Sequence, residues 1–229
     1  MISTSSSIDK ANIAKVKVFE ESVQNNLADS MVSRWPLDEG SGLITKDVWG
    51  GNDGTIIGAI WKSEKECVSR GCLDFNGGTY KINISPNAGL DISNEITITA
   101  WIYLRQHARI ANIVRKYEST STGSWYISTG ADTNGKKLRY TFIDDNLVYR
   151  GSDSNTDLPL NKWTFIAWSY DGTPTLYIDN IKETFDYIGK KILINSTKNI
   201  EIGTLQSDRV FNGLIDDVRI YDAALPSSQ

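Results

Sequence analysis

The chain carries a single histidine, His107, and two cysteines, Cys67 and Cys72, among 229 residues. Nucleophilic catalysis of the Ser-His-Asp or Cys-His kind would have to run through His107. That residue lies in Arg105–Arg109, after an apparent strand, and reads as a solvated loop histidine. A zinc centre built from several His and Cys ligands is out of reach. Cys67 and Cys72 enclose Val-Ser-Arg-Gly across a tight turn, a spacing that can reach disulfide geometry. So small a closed loop would stabilise the fold by roughly 2 kcal/mol. A bridge there implies an oxidising, extracytoplasmic compartment, whereas two free thiols would fit a cytosolic chain. The spacing is not the Cys-x-x-Cys of a redox pair. Asp144-Asp145 and Asp216-Asp217 are adjacent acids whose side chains on a strand point to opposite faces. Neither reads as the pair of facing carboxylates that glycoside hydrolysis needs. The aromatic content is the more distinctive resource, with seven Trp and ten Tyr. Trp49, Trp61, Tyr117, Trp125 and Tyr149 fall in apparent loops, where their rings could stack on a sugar. Against that, most tryptophans of such a chain pack in cores and on sheet faces.

Composition narrows the classes further. The net charge is -4, with 28 acids against 24 bases, which argues against a nucleic-acid partner. The longest apolar stretches, such as Ile96–Leu104, fall well short of the ~20 residues that span a bilayer. Ile2–Asp9 is Ser-rich and lacks the apolar core of a signal peptide. The expectation is a soluble chain.

Two kinds of element must position these residues. Between Asp9 and Met31 there is no Gly or Pro, and Ile13, Val16, Phe19, Val23, Leu27 and Met31 recur every three or four positions. That predicts a helix with one apolar stripe, capped by Asp9, which must bury against the following domain or a partner helix. Pro36 and the Gly40–Gly42 pair end the helical region. From Val32 onward the pattern is β. Ile96, Ile98, Ala100, Ile102 and Leu104 alternate onto one face. Trp163–Tyr170 is apolar on both faces, as in a central strand, and Asp171-Gly172 turns it back into Thr175–Asp179. Further turns fall at Asn76-Gly77, Asn134-Gly135 and Asp179-Asn180. A dozen or so short strands so punctuated predict a mainly β sandwich or barrel. The division expected is residues 1–31 for the helix and 32–229 for the β domain.

Several strings in the β region resemble one family. Trp101-Ile-Tyr, Lys162–Gly172, Leu176–Asp179 and Phe211–Tyr221 resemble the laminin-G-like members of the concanavalin A-like lectin fold. Leu37–Gly42, Asp47 and Gly51–Thr55 resemble that family's opening strand and loop, and Cys72–Gly77 with Tyr80–Ile82 its next hairpin. The resemblance runs from about Arg34 to Leu225 and implies a two-sheet jelly roll whose first and last strands lie together. The helical segment Ala11–Leu27 resembles the second half of the N-terminal helix of type IV pilin-like proteins and pseudopilins. The apolar first half and processing site of that family are missing here.

These resemblances imply a function. Laminin-G-like jelly rolls often hold a structural calcium between the opening loop and the last strand, which would fall to Asp47, Asn52, Asp53, Asp216 and Asp217. Alternatively Asp216 or Asp217 pairs with Arg219 or caps a turn. The Glu-x-Asp-x-x-Glu string of related bacterial glucanases is not found. The resemblance therefore implies a non-catalytic adhesion or carbohydrate-recognition module, extracellular or at a cell surface, binding a glycan or a surface protein. A structural pseudopilin, joined to other subunits through its helix, is the second reading.

Overall fold

The computed structural model describes residues 4–76, 78–117, 119, 124–131, 134–185, 191–203 and 210–226, with helix side chains given from Lys10 onward. The turn expected at Asn76-Gly77 lies partly outside them. Helix α1 spans Thr4–Asn26, so Asp9 sits inside it and does not cap it. A single 3-10 turn, Ala28–Ser30, follows. Met31 was expected to be helical and is the first residue of a strand, because its register against Tyr221 claims it for the sheet. The backbone N–H of Asp222 also donates to Ser30 O at 2.9 Å, tying the chain reversal to the last strand.

Sixteen strands are present among the described residues. They are β1 (Met31–Trp35), β2 (Ile44–Thr45), β3 (Gly54–Ile57), β4 (Ile60–Ser63), β5 (Gly71–Asn76), β6 (Lys81–Ile84), β7 (Ile96–Leu104) and β8 (Asn112–Lys116). The rest are β9 (Trp125–Thr129), β10 (Lys137–Ile143), β11 (Tyr149–Asp157), β12 (Trp163–Tyr170), β13 (Pro174–Ile178), β14 (Ile181–Thr184), β15 (Ile200–Ile202) and β16 (Asn212–Tyr221). The surplus over a dozen comes from pieces of two to four residues, such as β2 and β15, too short to show an alternation.

They form two antiparallel sheets. The first runs β14-β13-β12-β7-β16-β5-β4, with β1 also on β16; the second runs β11-β10-β9-β8-β15-β6-β3-β2. First and last strands do lie together, Trp35 opposite Val218. Strand β16 serves both β5 and β1 along one edge by means of a bulge between Asp216 and Arg219. Asp217, at φ 43°, makes that bend.

The alternation read from Ile96–Leu104 is obeyed. Ile96, Ile98, Ala100, Ile102 and Leu104 enter the core between the sheets, with Trp35, Phe75, Trp125, Phe142, Trp168 and Ile220. The opposite face of the first sheet carries Trp101, Phe165, Tyr177, Leu214 and Tyr221, covered by Val16 and Val23 of α1 and by Leu27 just after it. Ile13, Phe19 and Met31 pack at the margin, so all six stripe residues meet the chain's own sandwich. This explains why β12 is apolar on both sides. The hairpin after β12 turns in three residues, not two, because Tyr170 pairs with Pro174, and Asp171 Oδ1 accepts the Thr173 N–H at 2.9 Å. The two-residue turn at Asp179-Asn180 is as expected, with Ile178 opposite Ile181.

Candidate functional site

Two polar regions stand out, one where the opening loop meets the last strand and one on the outer face of the second sheet. The first contains the five residues expected to hold calcium. Asp47 is buried, and its Oδ1 accepts the backbone N–H groups of Arg34, Trp49 and Gly50 at 2.9–3.1 Å. Its Oδ2 accepts the Asn52 N–H and Asn52 Nδ2, both at 3.0 Å. Burial works to raise this carboxyl, but the N–H groups of Arg34, Asn52 and Gly50 outweigh it and hold the group below the usual value. Asp53 pairs with Lys46 at 2.5 Å. Asp217 receives Arg34 Nε at 3.0 Å and Arg219 Nε at 3.1 Å on the same oxygen. The pairing of Asp217 with Arg219 is therefore present.

A calcium ion needs several carboxylate and carbonyl oxygens free at once. Here N–H donors saturate Asp47 and two guanidinium groups flank Asp217, so the residues present do not fit that ion. Among the described residues no three acids, histidines or cysteines come together as a metal cage. Arg34 makes the link instead. Its backbone holds Asp47 of the opening loop and its side chain holds Asp217 of the last strand.

Asp216 faces elsewhere. Its Oδ2 accepts the N–H groups of Val68 and Ser69 at 3.1 Å, inside the loop closed by the Cys67–Cys72 disulfide. Its Oδ1 is buried with no partner. Burial pushes this carboxyl up to about 8, and the charge of Asp217 adds to the rise. Beside it Glu20, buried on the helix stripe, accepts Trp101 Nε1 at 3.0 Å and Arg219 Nη2 at 2.7 Å.

The second region lies on the face of the second sheet turned away from the core. The registers place Ile44, Thr55, Asn83, Glu201, Arg115, Tyr126, Thr141 and Gly151 opposite one another across all eight strands. At about 4.8 Å per strand this row is roughly 34 Å long. Its neighbours Ile82, Ile202, Ile127 and Tyr140 point into the core, which fixes the row on the outer side. In the middle of the row Glu201 Oε2 accepts Arg115 Nε at 2.6 Å, while Lys81 bonds its other oxygen. Burial tends to raise the Glu201 carboxyl, but Lys81 and Arg115 outweigh it and keep the group ionised well below neutrality. Next along, the Tyr126 and Tyr149 hydroxyls are hydrogen-bonded, and the Tyr117 ring packs edge-on to Tyr126 at 5.2 Å. Gly151 adds no side chain beside them; a Cβ there would meet Tyr140 O at 2.7 Å. A cleft of about 360 Å³ opens at this point, lined by Arg115, Tyr117, Thr197, Lys198, Asn199 and Glu201. Asn199 Nδ2 donates to Asn83 Oδ1 at 2.8 Å, joining the loop before β15 to the row.

The five aromatics picked from the sequence thus separate. Tyr117 and Tyr149 belong to this face, Tyr149 with 40% of its surface exposed. Trp49 is exposed in the turn held by Asp47, and Trp61, on strand β4, donates Nε1 to Gly42 O at 2.9 Å. Trp125 is fully buried in the core between the sheets, not in a loop. It is the inward residue at the start of β9, opposite Phe142 of β10, which rules out contact with a ligand. His107 is half-buried, its Nε2 against Leu158 O at 2.9 Å, and so is more tied down than a solvated loop residue. Asp144 accepts the N–H groups of Asn146 and Val148 and the Arg150 guanidinium, a structural role in the β10–β11 turn. Tyr126, Arg115 and Glu201 were not singled out beforehand. The Tyr-Ile-Ser alternation of β9 is the one signal that could have placed Tyr126 on an outer face.

This architecture has relatives. The binding domain of Paraclostridial Mosquitocidal Protein 1 superposes with a TM-score of 0.68 at 19% identity over 88% of this chain and 51% of its own. The Botulinum Neurotoxin serotype G binding domain gives 0.66 at 16% identity, covering 86% of this chain and 49% of the toxin domain. The chain therefore spans about half the length of these toxin domains. Domain 4 of AbnA, a GH43 extracellular arabinanase from Geobacillus stearothermophilus solved in complex with arabinotriose, gives 0.67 at 21% identity, covering 87% of this chain and 96% of that domain. At these identities the likeness is one of fold. No curated protein matches the chain. A family profile does match, over residues 76–229, and by it the chain belongs to the concanavalin A-like lectin/glucanases superfamily.

Proposed function

We propose that this chain is a non-catalytic carbohydrate-recognition or adhesion module that works outside the cytoplasm and holds a glycan on the outer face of its second sheet. The carrying observation is the Tyr117–Tyr126–Tyr149 group set beside the Arg115–Glu201 pair on one face. Aromatic rings offer surface to the apolar faces of sugars, and fixed polar groups beside them give direction to hydroxyl contacts. The arabinanase domain, 96% of whose length is covered, was solved with an oligosaccharide, which supports the same class of ligand here. The Cys67–Cys72 disulfide supports an extracellular or cell-surface setting. A filament role through α1 is less supported, since the stripe by which such a helix would join neighbours is covered by its own sheet.

A glycan array tests this reading. At least one glycan should bind, bind more weakly to Tyr117→Ala and Tyr149→Ala, and bind unchanged to Trp49→Ala. A blank array, or binding indifferent to both tyrosines, would overturn it.

A further inference from the structure

The first sheet holds a polar atom that the fold leaves unused. A cavity of about 210 Å³ lies between α1, the disulfide loop and the last strand. Asp216 lines it with none of its surface exposed, and its Oδ1 has no partner. An unmatched buried acceptor is costly and uncommon in folded proteins. Two further acceptors line the cavity from α1, the Glu21 carboxylate and Gln24 Oε1, neither with a partner among the described residues. Gln24 spends its amide nitrogen on Glu20 Oε1 at 2.9 Å. The cations of the cavity are engaged with other groups. Arg34 and Arg219 hold Asp217, Arg219 also holds Glu20, and Lys17 Nζ reaches from α1 to Val68 O at 3.2 Å. The charges that act most on Asp216 are those of Asp217 and Asp38, both acidic.

We propose that this cavity receives a lysine side chain of a protein partner, its ammonium on Asp216 Oδ1 with Gln24 Oε1 and the Glu21 carboxylate nearer the surface. The three N–H bonds of an ammonium match these three acceptors. A flexible four-carbon stem can carry the charge down to a carboxylate that lies beneath the surface. Trp101 and Val68 line the same cavity and give that stem apolar surface to lie against. The amino group of a sugar sits directly on its ring and cannot be carried as deep. An ammonium that takes the place of the Asp216 proton releases that proton to water. Binding therefore strengthens as pH rises towards about 8, where this carboxyl titrates. The other charged groups facing Asp216 are Lys17, Glu20 and Glu21 on α1, Arg34 on β1, Asp38 after it, and Asp217 and Arg219 on β16. The site belongs to the first sheet, so it does not depend on the glycan reading of the second.

The probe is Nα-acetyl-lysine amide, with its Nε-acetylated form as the neutral control. The readout is the pair of backbone amide signals of Val68 and Ser69, whose N–H groups bond the other oxygen of Asp216. In nuclear magnetic resonance titrations the charged probe should shift both signals to saturation and bind roughly tenfold or more tightly than the acetylated form. Its binding should tighten roughly tenfold from about pH 6.5 to about pH 8.5. Asp216→Asn should abolish the preference for the charged probe. Glu21→Gln, at an exposed position, should reduce that preference and leave the fold intact. Thermal unfolding of each variant separates loss of the site from loss of the fold. The inference fails if the acetylated form binds as well, if Asp216→Asn binds like the wild type, or if sodium chloride at matched ionic strength gives the same shifts. Glucosamine bound as tightly as the lysine probe would overturn the assignment to a protein side chain.

Discussion

Glu20 of α1 and Arg219 of β16 meet at 2.7 Å across 199 positions of sequence, both nearly fully buried. Together with the Trp101 indole on the other Glu20 oxygen, they form the polar centre of an otherwise apolar helix–sheet contact. Burial raises the Glu20 carboxyl even against the pull of Arg219. Removing one partner of such a pair leaves an uncompensated buried charge, at a cost of about 3–5 kcal/mol. Arg219→Ala should therefore lower the urea midpoint far more than Glu20→Gln, which keeps an acceptor for Trp101. Equal, small effects would mean that the helix is held by its stripe alone.

Arg34 ties the opening loop to the last strand through its own bonds to Asp47 and Asp217, which we propose take the place of a calcium clamp. Midpoints of thermal unfolding in calcium and in EDTA should agree within about 1 °C, because an ion that is not bound gives no mass-action stabilisation. Arg34→Ala should cost about 1–2 kcal/mol through its lost bonds to Asp217. A clear rise with calcium would contradict the arginine clamp.

Asp216 gives the fold a pH dependence of definite sign. Its carboxyl is raised from 3.8 to about 8, first by burial and then by Asp217. Across that window the folded chain keeps a proton that the unfolded chain has lost. Its contribution to stability is therefore complete below the lower value, declines as pH rises, and levels off above the upper one. Asp216→Asn retains an oxygen for Val68 and Ser69 and cannot ionise. Comparing urea midpoints at pH 5 and pH 8, the variant should gain on the wild type at pH 8 and show a flatter profile. A steeper profile would place the pH dependence elsewhere.

The disulfide and Asp216 hold one loop from two sides, and Cys72 is buried among residues that pack with α1. Replacing both cysteines by serine should cost roughly 2 kcal/mol, the scale for so short a closed loop. Hydrogen exchange at Val68 and Ser69 should rise in the same variant. Unchanged protection there would show that Asp216 suffices.

What the sequence made legible was what depends on local pattern. The stripe Ile13–Val23 of α1 and the alternation of Ile96–Leu104 each report one face of one element, while Leu27 and Met31 carry the apolar period past the end of the helix. Glu20 was legible in principle, since it sits on the stripe four positions after Val16, but a carboxylate there has meaning only once Arg219 lies opposite. Trp125 misled because the Ser-, Thr- and Gly-rich string just before it reads as loop sequence, while its own position is the inward one of a short strand. The row from Thr55 to Gly151 could not be read at all. Its members lie on strands whose order in space, β3-β6-β15-β8-β9-β10-β11, departs from their order in the chain. The calcium expectation came with the family resemblance; whether Asp47 had oxygens to offer depended on backbone N–H directions that no residue string encodes.

The most direct test of the glycan face is hydrogen–deuterium exchange with and without the strongest glycan found on the array. The expected result is protection gathered on β8, β9, β10 and β15, in the turn Asp144–Tyr149 and in Thr197–Asn199. Protection confined to the Trp49 and Trp61 edge, or to α1 and the first sheet, would contradict the central claim and move the binding surface elsewhere.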